Sequence, residues 1–310
     1  MSVAKLRVGT RGSLLALTQT RLFTSQLCLK HPDLHIEEVL IQTQGDISTE
    51  PLNQAKTPGL FVSALRDALL SHEVDFIVHS LKDLPAQPFA GIDTACIPLR
   101  EDSRDGFVSR GNIPLMKMPA GAVIGTSSPR RTARIRQLRP DLTVTSIRGN
   151  IDTRIAKVER GEFDATLLAM AGLNRIGRAD VVCEIFDTTD FIPAAGQGAL
   201  SIECRSEDSE IRELLAVLDD RETRLLVTAE RHVLVGLDAG CATAIGAWGS
   251  WDQGTLTLRA ELSVESTGES KREELSAELG IDEYSQASEL GLEIASRLKV
   301  SPIAERVAWK

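Results

Sequence analysis

Arginine is concentrated in one stretch of a chain whose overall charge is negative. The formal net charge is -9 over 310 residues, yet the stretch from Arg100 to Arg160 is rich in guanidinium groups. A guanidinium presents a planar fork that can bind a carboxylate or phosphate through two hydrogen bonds. Such a cluster inside an acidic protein predicts a cleft for a small polyanion. The arginines between these limits are Arg104, Arg110, Arg130, Arg131, Arg134, Arg136, Arg139, Arg148 and Arg154.

Two turns in this stretch have the composition of an anion site. Gly125–Arg131 (GTSSPRR) joins a predicted strand to a predicted helix, and Arg148–Arg154 (RGNIDTR) repeats the arrangement. Backbone N–H groups and hydroxyls at a helix N-terminus favour anions, and the following arginines add positive charge. The simpler interpretation is that a serine caps the helix and the arginines are solvated. The occurrence of two such turns favours the anion site.

Two other segments carry groups that could react. His79–Pro85 (HSLKDLP) follows a short apolar strand, and a carboxylate there could stabilise a developing cation or move a proton. The alternative, a Lys82–Asp83 surface pair in a turn, is favoured when this segment is considered alone. Gly240–Cys241 lies in a predicted loop, where an accessible thiol could be a covalent attachment point. The alternative for Cys241 is an inert, small hydrophobic residue.

The first two thirds of the chain must position these groups, and it alternates strand and helix patterns. The alternation predicts two similar, doubly wound α/β lobes joined by a hinge, as in periplasmic binding proteins, with ligands where loops leave the strand ends. The predicted strands are Lys5–Gly9, His35–Thr43, Asp75–Val78, Ala122–Gly125, Thr143–Ile147, Asp164–Ala169 and Ala199–Cys204. The predicted helices are Leu14–Leu29, Leu60–Leu70, Arg130–Leu138 and Ile151–Arg160.

The order of these elements also predicts the domains. The strand Ala199–Cys204 follows the second lobe and is expected to return to the first sheet, so residues 1–98 and 198–218 form the first lobe and residues 99–197 the second. After Asp219 a helix, alternating strands and a last helix predict a smaller α+β domain over residues 219–310, which carries the loop cysteine. The long polar stretch Gln44–Pro58 predicts a functional lid or a disordered loop.

Composition excludes several classes of protein. No segment approaches 18 uncharged apolar residues, and no apolar signal region opens the chain, so neither a membrane span nor a secreted protein is expected. Aromatic residues make up only 4%, which together with the negative charge argues against a nucleic-acid binder. The cysteines lack CxxC spacing, which predicts reduced cytosolic thiols and no metal site. They are Cys28, Cys96, Cys183, Cys204 and Cys241.

Taken together, these segments resemble the porphobilinogen deaminases, also called hydroxymethylbilane synthases. The matching segments run in the order of that family from near the N-terminus to about residue 246, which makes a chance match negligible. They are Thr10–Ser13 (TRGS), Val78–Asp83 (VHSLKD), Arg100–Phe107 (REDSRDGF), Gly125–Arg131, Arg148–Arg154, Ala171–Gly177 (AGLNRIG), Pro193–Ala199 (PAAGQGA), Glu203–Arg205 (ECR) and Gly240–Cys241.

The resemblance implies a cytoplasmic, monomeric transferase of porphyrin and heme biosynthesis with three domains. Such an enzyme condenses four porphobilinogen molecules into linear hydroxymethylbilane and releases ammonia. The resemblance implies a dipyrromethane cofactor joined to Cys241 by a thioether, with Asp83 as the catalytic carboxylate. It further implies that Lys82, Ser128, Arg130, Arg131 and Arg148 bind the cofactor and that Arg11, Ser13, Arg148, Arg154 and Arg175 bind porphobilinogen and the growing chain.

This chemistry agrees with the residues. Each pyrrole carries two carboxylates, so a growing chain accumulates negative charge that a dense field of arginine can hold. Loss of ammonia leaves a cationic species that a carboxylate stabilises. The sequence departs from the family pattern at two places. Pro58, with Lys56 nearby, occupies a position where the family commonly has lysine, and Ala242–Ala244 lacks a proline often found after the cysteine.

The alternative from another class is a non-catalytic, two-lobed protein that binds a small polyanion. The coincidence of Asp83 with Cys241 counts against it. A binder would tolerate the loss of the Asp83 carboxylate, whereas the enzyme would lose turnover.

Overall fold

The computed structural model describes residues 5–42, 62–240 and 243–309, and the chain divides into two compact units. The first unit comprises Met1–Glu101 and Ala199–Arg224, and the second comprises Asp102–Gly198 and Leu225–Lys310. The polar stretch Gln44–Pro58, predicted to be a lid or a disordered loop, and Cys241, the predicted anchor, lie outside the described residues.

The described strands and helices are numbered in chain order. The strands are β1 (Lys5–Thr10), β2 (His35–Leu40), β3 (Phe76–Ser80), β4 (Ile92–Cys96), β5 (Asp105–Ser109), β6 (Val123–Gly125), β7 (Thr143–Thr145), β8 (Ala165–Ala169), β9 (Glu184–Ile185), β10 (Leu200–Arg205), β11 (Ile245–Asp252), β12 (Thr255–Ser263) and β13 (Ser270–Glu278). The α-helices are α1 (Leu14–Lys30), α2 (Ser63–Leu70), α3 (Pro129–Leu138), α4 (Ile151–Glu159), α5 (Met170–Arg175), α6 (Ser209–Ala216), α7 (Arg221–Leu237) and α8 (Glu283–Lys299).

The first unit contains a five-stranded sheet with the order β2-β1-β3-β10-β4. Strands β2, β1 and β3 run parallel, whereas β10 is antiparallel to β3 and β4. The strand predicted over Ala199–Cys204 therefore does return to the first sheet, as β10. Its six residues are all buried, as expected for a strand covered on both faces.

Helices pack on both faces of this sheet because successive side chains of a strand point to opposite sides. Phe76 of β3 meets Phe23 of α1 edge to face, with 6.1 Å between ring centroids. The next residue along the strand, Ile77, packs in a separate cluster with Leu65 and Leu69 of α2. The alternation of β3 thus gives the first unit two apolar layers, one on each side of the sheet.

The second unit contains a sheet with the same arrangement, in the order β7-β6-β8-β5-β9. Strand β6 is parallel to β7 and β8, and β5 is antiparallel to β8 and β9. Each of the two sheets therefore has three neighbouring parallel strands and a fourth strand that runs the other way. The predicted fold class, two similar α/β lobes with a small C-terminal α+β domain, is confirmed.

The C-terminal part is an antiparallel meander of β11, β12 and β13 covered by α7 and α8. The two helices lie very close at Gly291, where a Cβ atom would come within 2.3 Å of the backbone oxygen of Ala229. Only glycine fits such an approach without a shift of the backbone. This part belongs to the same compact unit as the second α/β sheet, so the predicted boundaries of three domains stay a prediction.

No described helix has both the length and the apolar character needed to cross a membrane.

Candidate active site

In the first unit, the predicted site residues follow two neighbouring parallel strands. Arg11 and Ser13 come directly after β1, and Lys82 and Asp83 come directly after β3. Because β1 and β3 pair in parallel, their carboxyl ends meet at one edge of the sheet. Ligands of open α/β sheets bind outside this edge.

Asp83 occupies an exposed position on a firmly held turn. It ends a 3-10 turn, Leu81–Asp83, whose first residue is 3% exposed. The backbone N–H of Leu81 donates to the oxygen of Ala199 over 3.0 Å, and Leu84 on the other side is buried. The turn is therefore fixed by its apolar neighbours, while the Asp83 carboxylate faces solvent and is accessible to a ligand.

In the second unit, the predicted residues follow three parallel strands. Ser128, Arg130 and Arg131 come after β6, Arg148 and Arg154 after β7, and Arg175 lies in α5 after β8. The turns after β6 and β7 touch: the Ser127 hydroxyl donates to the oxygen of Ile147 over 2.7 Å, and it lies 2.7 Å from the hydroxyl of Ser146. The two turns that the sequence predicts to bind anions therefore lie side by side.

Two of the helices that start at this edge, α3 and α4, have an N-cap side chain that accepts a hydrogen bond from the first turn. The Ser128 hydroxyl accepts from the N–H of Arg131 over a long 3.5 Å, and Oδ1 of Asn150 accepts from the N–H of Thr153 over 2.9 Å. Before α4, Gly149 has φ +111°, and a Cβ there would lie 2.5 Å from Thr153. The glycine in RGNIDTR is therefore required by the backbone of the turn.

The adjacent arginines of α3 are buried and paired within the protein. Arg130 and Arg131 are 6% and 7% exposed. Nη2 of Arg130 lies 2.8 Å from Oδ2 of Asp105, and Nη2 of Arg131 lies 2.6 Å from Oδ1 of the same carboxylate. Each guanidinium also donates to a backbone oxygen, that of Ile192 and that of Leu167 respectively.

The simpler interpretation of this helix, a solvated arginine face, is therefore wrong for Arg130 and Arg131. A buried guanidinium needs a paired charge; Asp105 supplies it for both arginines and accepts hydrogen bonds from Arg131. Burial by itself raises the pKa of Asp105, but the two arginines and the hydrogen bonds from Arg131 and Gln197 outweigh it and hold that pKa well below its usual range. One carboxylate balances only one of the two guanidiniums, so the three side chains together keep one net positive charge.

Buried N–H groups without acceptors indicate which kind of ligand would bind to this surplus positive charge. Within the described ranges, Nη2 of Arg148 and Nε of Arg130 are buried and have no hydrogen-bond partner. A buried, unsatisfied donor is costly, and a carboxylate is the acceptor that matches a guanidinium. The second unit therefore fits a ligand rich in carboxylates, as dipyrromethane and porphobilinogen are.

The remaining arginines of the prediction hold the loops around this edge. Nε of Arg154 donates to the oxygen of Gly149 over 2.8 Å, and Nη2 of Arg175 donates to the oxygen of Gly198 over 2.7 Å. Each of these contacts orients the guanidinium through one of its N–H groups.

Sequence reasoning did not single out Asp105 or Gln197. Both occur in segments quoted for the family resemblance, REDSRDGF and PAAGQGA, but neither received a role. The only available signal for Asp105 was its position among arginines, which does not distinguish it from Asp102 or from Asp141.

Two family models match this chain and together span most of it. The model described as "Porphobilinogen deaminase, dipyromethane cofactor binding domain" matches residues 6–213, and the one described as "Porphobilinogen deaminase, C-terminal domain" matches residues 224–300. This chain belongs to the porphobilinogen deaminase family.

Three relatives named porphobilinogen deaminase match over 86% to 95% of their own length. The protein of Thermobifida fusca is 46% identical over 88% of this chain and 86% of its own. That of Syntrophus aciditrophicus is 41% identical over 94% of both chains. The one of Mycolicibacterium gilvum is 43% identical over 94% of this chain and 95% of its own.

Among solved structures, this chain is distantly similar to two binding proteins. A methionine-binding protein is 10% identical with a TM-score of 0.45, over 69% of this chain and 89% of its own. A periplasmic binding protein of Salmonella typhimurium with high arginine specificity is 11% identical with a TM-score of 0.40, over 71% of this chain and 93% of its own.

Membership of the porphobilinogen deaminase family confirms three predictions from the sequence. These are the enzyme class, hydroxymethylbilane synthase; the place in tetrapyrrole biosynthesis through pyrrole condensation; and the dipyrromethane cofactor, which the matching model names. A non-catalytic polyanion binder is not favoured.

Proposed function

We propose that this chain joins four porphobilinogen molecules head to tail, with Asp83 as the catalytic carboxylate and Cys241 as the anchor of the dipyrromethane. One observation carries the proposal. Every described residue of the predicted site follows the carboxyl end of a parallel strand, in both α/β sheets. Such an arrangement brings scattered sequence motifs to the edges where ligands bind.

The reaction requires stabilisation of positive charge. The aminomethyl C–N bond of porphobilinogen breaks and ammonia leaves, so the substrate carbon becomes cationic. The free α-carbon of the last pyrrole would then form the new C–C bond and lose its proton, which balances the proton that the amine takes up to leave as ammonia. Asp83 would stabilise the cation electrostatically and hydrogen-bond pyrrole N–H groups. When bound, dipyrromethane supplies the first pyrrole to be extended.

The arginines would hold the negative charge of the pyrrole side chains. Arg130, Arg131 and Arg148, with Lys82 and Ser128, would bind the cofactor, and Arg11, Ser13, Arg148, Arg154 and Arg175 would bind substrate. The surplus positive charge beside Asp105 and the unpartnered donors of Arg130 and Arg148 support these roles. We further infer a cytoplasmic monomer without nucleic-acid or membrane partners.

The intact mass of the purified native chain, compared with that of a Cys241→Ser variant, tests the anchor. The native chain is expected to carry an excess equal to two linked pyrrole units, because a thioether is stable to purification. The variant lacks the sulfur and is expected to have its plain sequence mass. A native mass without this excess, unchanged after incubation with porphobilinogen, would support the non-catalytic binder instead.

A further inference from the structure

One buried carboxylate organises the arginine pair of the second unit. Asp105 begins β5 and is fully buried. Its Oδ1 accepts two N–H groups of Arg131, over 2.6 and 3.2 Å, and one from Nε2 of Gln197 over 3.0 Å. Its Oδ2 faces Nη2 of Arg130 at 2.8 Å. Asp105 therefore contacts both guanidiniums and the side-chain amide of Gln197.

Gln197 holds this carboxylate from a segment with a fixed backbone. The side chain is 1% exposed, and Nε2 also donates to the oxygen of Ser103 over 2.7 Å. Its neighbours Gly196 and Gly198 have φ of +72° and +92°, values that favour glycine. The N–H of Gln197 donates to the oxygen of Ala194. The turn thus fixes the position of the Gln197 amide, and the amide in turn holds Oδ1 of Asp105 by a hydrogen bond.

The geometry fixes which donors remain for a ligand. Nη1 of Arg130 is used by the oxygen of Ile192, and Nη1 of Arg131 by that of Leu167. Nε of Arg130 is buried without an acceptor among the described residues. If the carboxylate rotated, both guanidiniums would have to move with it, since a charge-assisted bond is directional and strong.

We propose that Asp105 and Gln197 are positioning residues for anion binding, which set the orientation of Arg130 and Arg131 and leave one positive charge for a ligand carboxylate. The proposal rests on the proposed function for the identity of that ligand. Neither residue touches the reacting atoms in it; each acts through the arginines.

The test uses the full chain with Cys241→Ser, which cannot carry the anchored cofactor, and measures binding by calorimetry with two probes. Porphobilinogen tests the natural ligand, and inorganic pyrophosphate tests the cationic site alone. Gln197→Met keeps the length and burial of the side chain but removes the donor to Asp105. We expect it to raise Kd for both probes about tenfold and to lower the melting temperature moderately, because the oxygen of Ser103 also loses its donor. The matched control, Gln137→Met, makes the same change on the exposed face of α3 and should leave both Kd values unaltered.

Asp105→Asn is the second variant. It leaves two buried guanidiniums with no carboxylate, so a clearly lower melting temperature should accompany a weaker Kd. Kd values within twofold of the parent for Gln197→Met, with either probe, would make the residue merely structural and overturn the proposal. A third outcome is that the parent does not bind porphobilinogen, while Gln197→Met still weakens pyrophosphate binding as expected. That outcome would support the positioning role and contradict only the proposed function.

Discussion

Two aspartates show how burial separates chemical roles at the scale of single residues. Asp83 is exposed on its turn, whereas Asp105 is fully buried between two guanidiniums. A carboxylate held in this way is already committed to its partners and cannot serve a substrate. The exposed one is available for that purpose.

Asp83→Asn is expected to remove most turnover and to leave the fold intact. The amide has nearly the same shape, but it carries no charge to stabilise a cation, and a loss of about 100-fold in kcat or more is expected. Steady-state release of ammonia from porphobilinogen measures turnover, and thermal unfolding measures the fold. Asp33→Asn, another exposed aspartate of the same unit, is the control. Normal activity of the Asp83 variant would refute the catalytic assignment.

At the scale of elements, β3 depends on a buried charge network as well as on apolar packing. Arg66 of α2 forms two hydrogen bonds of 2.9 and 2.6 Å with Glu203 of β10. His79 of β3 places Nε2 3.5 Å from the same carboxylate. Burial lowers the pKa of His79 to about 4; Glu203 opposes the shift, and Arg66 and Arg11 add to it. The strand that leads into the turn of Asp83 is therefore packed around a neutral imidazole.

This neutral imidazole predicts that stability falls in mild acid. Between the ordinary histidine pKa of 6.5 and the folded value of about 4, the unfolded chain binds a proton that the folded chain does not. The free energy of unfolding should therefore decrease as pH is lowered through this window, by up to about 1.4 kcal/mol per pH unit from His79. Urea unfolding at about pH 7, 6 and 5 measures the slope. His79→Gln should flatten it, and an equal slope in the variant would contradict the assignment.

At the scale of the molecule, hydrogen bonds to the Glu230 carboxylate connect three segments of the second unit. It is a fully buried residue of α7. Its Oε2 accepts from the N–H of Gly196 over 2.7 Å, and its Oε1 accepts from the N–H of Gly249 in β11 over 2.9 Å. Helix α7 is thus bonded both to β11 and to the segment that precedes β10. This contact gives a physical reason why the C-terminal part shares a compact unit with the second sheet.

Glu230→Ala is expected to lower the free energy of unfolding by about 3 kcal/mol, because two buried N–H groups lose their charged acceptor. Denaturant unfolding of the full chain measures the loss. Glu222→Ala, an exposed glutamate in the first turn of the same helix, is the matched control, and its effect should stay below about 1 kcal/mol. A loss that small for Glu230→Ala would show that Gly196 and Gly249 find other acceptors.

Local sequence patterns were enough to predict several helices and strands and the family of this protein. Local sequence signals predicted β1, α1, α3, α4 and β8 close to their observed bounds, since apolar runs and the residues that flank them mark where such elements begin and end. The order of motifs such as GTSSPRR and RGNIDTR predicted the family and the edge-located site residues. Strand β5 was missed because its sequence, DGFVS, begins with two residues of low β-propensity. It is a strand because it is buried between β8 and β9.

The tertiary structure alone decided which charges meet. Asp105 and Arg131 are 26 positions apart, and Arg66 and Glu203 are 137 positions apart. Nothing in the local sequence of either pair specifies the partner, because the pairing depends on strand order and on which helix covers which face. The sequence therefore determined that this chain concentrates arginine around two strand-to-helix turns that we predict to bind anions. Only the fold determined that two of these arginines share one buried carboxylate, since low exposure forces each buried charge to find a partner.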